Sequence, residues 1–300
     1  MSDNILEVRD ACVTFEKRNS VVHAVDHISL TMRRGAMLGL VGESGSGKST
    51  LARAIVGLQP LDSGEVVIDG MDQHARARLK GHARAEVVQM VFQDPYSSLN
   101  PRMSVGEAIG EVLDTYEHLS HDERRESVAE LLRLVHLGPE VAPKMPNQLS
   151  GGMRQRIAVA KCLAVRPKLI VADEITSALD VSVQAVVLNL IKSLHRELGL
   201  SMLFISHNLA AVRYICDDIA VMHHGRIVEI GSAEQIVTAP KDPYTRSLVG
   251  AIPSLEDAGR DVLLDPALAG GAAAAGAASV AGAAAGNTGD RATAVAAGER

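Results

Sequence analysis

Residues 42–49 read GESGSGKS, which fits G-x-x-x-x-G-K-[ST] at every fixed position. The apolar run MLGLV precedes them, and TLARAIVGL follows with apolar residues at Leu51, Ala54, Ile55 and Leu58, the spacing of one helix face. Strand, glycine-rich turn and helix in that order commit the chain to an α/β sheet with the turn at the carboxyl end of a strand. Gly45 and Gly47 let the backbone close around phosphate groups. The N–H groups of Gly42, Glu43, Ser44, Gly45, Ser46, Gly47 and of Lys48, Ser49 and Thr50 at the helix start are then available to negative charge. Lys48 is expected to bridge the β- and γ-phosphates of a nucleotide, and Ser49 to offer its hydroxyl to Mg2+.

The rest of the chain reads in agreement. LEVRDACVTF, HISLTM and GEVVIDG are short β-rich stretches between Gly and Asp punctuation, and VVQMVF at 87–92 is a further apolar run. Residues 104–137 are mostly helical, with a 3.6-residue period in HDERRESVAELLRLV. LIVA at 169–172 and LFIS at 203–206 are short, wholly apolar and separated by a helical segment, as buried parallel strands are. DDIAVMHHGRIVEIG reads as a closing hairpin with Gly225 near its turn, and HARARLKGHARA at 74–85 as a solvated helix face.

Asp173 and Glu174 end the LIVA run, where ligands sit in open α/β sheets. The first can hold Mg2+, and the second can take a proton from the water that attacks the γ-phosphate. His207 follows LFIS and is expected to sense the γ-phosphate in the same crevice, while Gln93, just past VVQMVF, can reach the metal or the attacking water. A second anion-holding stretch is LSGGMRQR at 149–156, where Ser150, Gly151 and Gly152 open a basic helix.

Composition narrows the partners. A formal net charge of −6, a pI near 6.0 and 2% aromatic residues leave neither a basic footprint nor stacking platforms, so no nucleic acid is expected. Cys12, Cys162 and Cys216 lack metal-ligand spacing and read as reduced core filler. The start MSDNILEVRD lacks a signal-peptide pattern, which predicts a cytoplasmic protein. Residues 267–286 are uncharged for the length of a bilayer crossing but consist of Ala and Gly with little else, so they read as low-complexity tail and not as a span.

Taken in order, GESGSGKST, Gln93, LSGGM, LIVADE, SALD and His207 resemble the ATP-binding subunit of an ABC transporter over about residues 5–255. That resemblance implies a P-loop NTPase cassette of α/β class: a RecA-like core, an antiparallel β subdomain and a helical signature subdomain at about 95–165. It also gives LSGGM a purpose, because in such ATPases the signature of one subunit closes over the ATP held by the phosphate loop of the other. VFQDPYSSLNPRMSV, ADEITSALDVSVQAVVLNLI and DPYTRSLVGAIP look like the subfamily that imports dipeptides, oligopeptides or nickel. A subfamily-type C-terminal segment then covers about 240–256, within a cassette of 1–256 followed by a tail at 257–300.

The implied partners are two membrane permease subunits, a second ATPase subunit, identical or paralogous, and an extracytoplasmic solute-binding protein. The implied place is the cytoplasmic face of the inner membrane. Phe15 is either the aromatic that stacks on adenine or a core residue at a strand end. Met153, Ile175 and Asn208 stand where the family usually has Gln, Pro and Asp, and no cysteine follows Cys216 to hold an iron–sulphur cluster. A non-transport ABC ATPase is the alternative function.

Overall fold

A computed structural model describes residues 3–17, 20–94, 98–116 and 119–251. The expected tail at 257–300, the end of the C-terminal segment and residues 95–97 lie outside that range. In chain order the strands are β1 (Asn4–Lys17), β2 (Ser20–Arg33), β3 (Met37–Val41), β4 (Ser63–Ile68), β5 (Val88–Val91), β6 (Leu169–Asp173), β7 (Ser201–Ser206), β8 (Asp218–His223) and β9 (Arg226–Ser232). The helices are α1 (Lys48–Val56), α2 (Gln73–Arg78), α3 (Gly81–Ala85), α4 (Val105–Tyr116), α5 (His121–Leu134), α6 (Gly151–Leu163), α7 (Val181–Leu198), α8 (Leu209–Ile215), α9 (Ala233–Thr238) and α10 (Pro243–Gly250).

Two sheets form the frame. The smaller is antiparallel, in the order β2-β1-β4, and the larger runs β5-β6-β7-β3-β8-β9. Strands β5, β6, β7, β3 and β8 are mutually parallel, and β9 closes the edge antiparallel to β8. Every residue of β3, β6 and β7 is buried, which is why MLGLV, LIVA and LFIS carry no polar alternation. In β2, by contrast, buried and exposed residues alternate from His27 to Arg33, because only one face of the small sheet is covered.

The larger sheet separates two apolar clusters. One includes Val8, Leu30 and Ile68 of the small sheet, Leu51 and Ile55 of α1, and Leu40, Leu203 and Ile205 of the large sheet. The other joins Val41 and Phe204 to α4, α5, α6, α7 and α8 through residues such as Ile109, Leu132, Ile157, Leu188 and Val212. Phe204 has no solvent exposure, and burial of such a side chain contributes about 1.5–3 kcal/mol.

Two local expectations are corrected and one open alternative is narrowed. Helix α1 stops at Val56, because Gly57 takes a left-handed backbone (φ 82°) and turns its N–H back to Ala54 and Arg53. Leu58 therefore leaves the helix face and is 62% exposed. HARARLKGHARA forms not one solvated helix but two, α2 and α3, and its Arg76 is buried, with Nη1 donating to the Ile55 carbonyl near the C-terminus of α1 (2.9 Å). Phe15 pairs with Val22 near the end of the β1–β2 hairpin and is 40% exposed, so it is not a core residue.

Candidate functional site

Register brings the chemistry to one edge. Val41 at the end of β3 lies opposite Ser206 of β7 and Val221 of β8, and Asp173 at the end of β6 lies opposite Ile205. The segments that follow β3, β6 and β7 therefore leave the sheet side by side: the phosphate loop, Glu174, and His207 with Asn208.

The loop fits its neighbours without slack. Gly47 has φ 105°, and a Cβ there would lie 1.9 Å from the Ala24 carbonyl oxygen; a Cβ on Gly42 would lie 2.1 Å from that of Met222. Gly45, at φ 83°, meets nothing within 4 Å, so its role is conformational alone. Lys48 is 4% exposed and donates to the carbonyls of Gly42 (2.8 Å) and Glu43 (2.7 Å). Burial lowers its pKa, against the opposing pull of Glu174, Asp173 and Glu43.

Ser49 Oγ donates to Asp173 Oδ1 at 3.1 Å. Burial raises the Asp173 carboxyl, against the lowering effect of the Ser49 bond, and the adjacent Glu174 adds to the rise. Two hard oxygen donors, one a buried carboxylate, make a set suited to Mg2+. Glu174 has a left-handed backbone (φ 48°), its N–H is held by the Ile205 carbonyl (2.9 Å), and its carboxylate lies 3.5 Å from His207 Nδ1.

Gln93 reaches the same group through a residue that sequence reasoning named only as part of SALD. Gln93 Nε2 donates to Ser177 Oγ (3.3 Å), which in turn donates to the Glu174 carbonyl (2.8 Å). A hydroxyl three residues beyond the acid was the one signal for it.

Ser150, Gly151 and Gly152 occupy a different place. Ser150 caps α6, accepting from the Met153 N–H (3.3 Å), while Cβ atoms on Gly151 and Gly152 would lie 3.2 Å from Leu179 Cδ2 and 2.4 Å from Val183 Cγ1. Among the described residues, none of the three sets of hydrogen bonds at this edge, Lys48 to Gly42 and Glu43, Ser49 to Asp173, and Gln93 through Ser177 to Glu174, extends to Ser150. The departures are absorbed locally. Asn208 caps α8 by accepting from Ala210 and Ala211, which Asp would do equally well, and Ile175 is buried in the core.

The chain is similar to known proteins over most of its length. The ABC transporter family profile matches residues 25–177. The oligopeptide transport ATP-binding protein OppF of Bacillus subtilis (strain 168) is 47% identical over 84% of this chain and 84% of its own. The probable peptide ABC transporter ATP-binding protein y4tS of Sinorhizobium fredii is 46% identical over 80% of this chain and 68% of its own. Among solved structures, the dimeric ATP-binding cassette MJ0796 bound to ADP and Pi superposes with a TM-score of 0.67 at 28% identity, covering 76% of this chain and 98% of that one. The protein cbiO1 from Clostridium perfringens, part of the ABC transporter complex cbiONQ, gives 0.69 at 26% identity, covering 79% and 92%.

Proposed function

The chain belongs to the ABC transporter family, and on that premise we propose that it is the ATP-hydrolysing subunit of a peptide importer. One observation carries the reading: Lys48, Ser49, Asp173, Glu174 and His207 converge on one sheet edge, with Ser49 bonded to Asp173 and His207 beside Glu174. The peptide assignment rests on the names of the relatives, OppF and y4tS.

In this reading the phosphate-loop N–H groups and Lys48 hold the triphosphate. Ser49 and Asp173, with Gln93 at their flank, would hold Mg2+, which supplies charge neutralisation between the phosphates when bound. Glu174 orients the attacking water and accepts its proton. His207, 3.5 Å away, donates to the γ-phosphate and keeps the carboxylate in place. Exposure of Phe15 supports its stacking on adenine.

Ser150, Gly151 and Gly152 complete the site of a second ATPase subunit, identical or paralogous, which accounts for their lying apart from the bonds around this chain's own phosphate loop and acid pair. Two permease subunits supply the membrane path, a solute-binding protein delivers the peptide, and the ATPase docks on the cytoplasmic face of the inner membrane. Among the described residues no helix is long and apolar enough to cross a membrane. A groove of about 430 Å³ is lined by Met90, Phe92, Ser98, Val112, Tyr116 and Cys162, and it suits a cytoplasmic segment of the permease. The non-transport alternative has no observation in its favour.

Glu174→Gln and Lys48→Ala test the reading in the purified complex. Glu174→Gln should bind ATP as the parent does and lose hydrolysis by about a hundredfold or more, while Lys48→Ala should lose binding itself. Parental turnover in Glu174→Gln would remove the role assigned to Glu174. Failure of the parent complex to drive uptake of labelled oligopeptide into vesicles would remove the peptide assignment.

A further inference from the structure

The C-terminal helix reaches the phosphate loop. Tyr244, in the first turn of α10, accepts the Glu43 N–H on its phenolic oxygen at 2.9 Å. Its ring stacks on His223, centroid to centroid 3.7 Å and 13° from parallel. His223 ends β8, and two residues later the N–H of Gly225 donates to the Ser46 carbonyl at 2.9 Å. The loop is thus gripped at two points, Glu43 and Ser46, by groups that come from the β8–β9 hairpin or rest on it.

The position of Tyr244 is itself determined. Glu229 of β9 accepts the N–H groups of Lys241 (2.9 Å) and Asp242 (3.0 Å), and the Asp242 carboxylate accepts the Tyr244 N–H (2.8 Å). The helix start is therefore bound to the same hairpin that carries His223 and Gly225. Tyr244 is half-buried and burial raises its pKa, so the phenol stays protonated at neutral pH.

We propose that Tyr244 is a positioning residue of the phosphate loop: α10 is a strut whose phenolic oxygen fixes the Glu43 peptide, and so holds the turn in the shape that receives the triphosphate. The inference rests on the reading of the loop as an ATP site. The Glu43 carbonyl, in the residue whose N–H Tyr244 holds, is also one of the two that anchor Lys48, at 2.7 Å. Releasing the Glu43 N–H frees the start of the loop and with it the lysine. The segment lies two hundred residues from the motif it supports.

Tyr244→Phe in the full chain removes the oxygen and keeps the stack. It should weaken Mg2+–ATP binding in calorimetry about three- to tenfold, the value of one hydrogen bond, with KM for ATP rising by a similar factor and kcat unchanged. Amide exchange over residues 42–49 should speed up. Arg246→Ala is the control: among the described residues its side chain bonds to the carbonyls of Pro240 and Lys241 in the same segment and not to the loop, so it should cost stability, keep the Tyr244–Glu43 bond and leave ATP affinity as it is. Parental affinity in Tyr244→Phe overturns the proposal, as does a loss of affinity that follows melting temperature across both variants. Lys48→Ala keeps the two readings apart. If it loses ATP while Tyr244→Phe does not, only the strut fails; if the parent and Lys48→Ala bind ATP equally, the ATP site fails and the strut with it.

Discussion

Glu174 occupies a backbone region that costs a non-glycine residue about 1–2 kcal/mol, at φ 48°. The strain is held by its N–H bond to Ile205 and the Ser177 bond to its carbonyl, and it sets a carboxylate beside His207. Asparagine tolerates this conformation better than glutamate. Glu174→Asn should therefore melt at or above the parent temperature while hydrolysis falls about a hundredfold; a drop of more than a few degrees by calorimetry would show that the carboxylate contributes to the fold. Gly47 is the opposite case. Its φ of 105° and the 1.9 Å approach to Ala24 leave no room for a methyl group, so Gly47→Ala should abolish ATP binding and lower the melting temperature, and an alanine variant with parental ATP affinity would contradict the loop geometry.

Elements are joined by a few polar ties. Asp69, in the turn after β4, binds Arg34 between β2 and β3 and Lys168 ahead of β6, the latter at 2.8 Å, and so links the two sheets. Burial alone would raise its pKa, but Lys168 and Arg34 outweigh that and hold it below the ordinary carboxylate range. A carboxylate whose pKa is depressed on folding stabilises the protein above its unfolded pKa, and the stabilisation disappears as pH falls through the folded value. Asp69→Asn should thus melt below the parent at neutral pH, and the gap should close on acidification below the usual carboxylate range; a gap independent of pH would mean the tie is not ionic. Ser150→Arg removes the cap of α6, at a cost of about 1 kcal/mol, and should lower hydrolysis while this chain's own phosphate loop still binds nucleotide. The core strands were legible because LIVA and LFIS are covered on both faces and need no polar alternation. The break in HARARLKGHARA was not, since nothing local says that Arg76 will turn inward to meet the end of α1. Tyr244 escaped for the same reason, since it acts on a backbone group two hundred residues away; Ser177 binds within its own turn, and what depends on the assembled sheet is the approach of Gln93 to it.

Across the whole molecule, the motif at 42–49 announced a sheet but not its order. Strand β3, early in the chain, lies between β7 and β8, both from its last third. Its pairing therefore closes loops of more than a hundred residues, and the turn that follows it is held by the Gly225 N–H and the Tyr244 oxygen. Contacts so distant along the chain form late. On the ribosome, where domains emerge amino end first, the phosphate loop is translated long before β7, β8, Gly225 and Tyr244 exist to hold its shape. A nascent chain halted at residue 200 should carry the complete GESGSGKS and retain no ATP on an affinity matrix, whereas one released after residue 251 should bind it. Retention by the shorter chain would mean that the loop takes its form without the later strands. Nucleotide competence is thus among the last properties this polypeptide acquires during synthesis, so a prematurely terminated product would not compete with the finished subunit for cellular ATP.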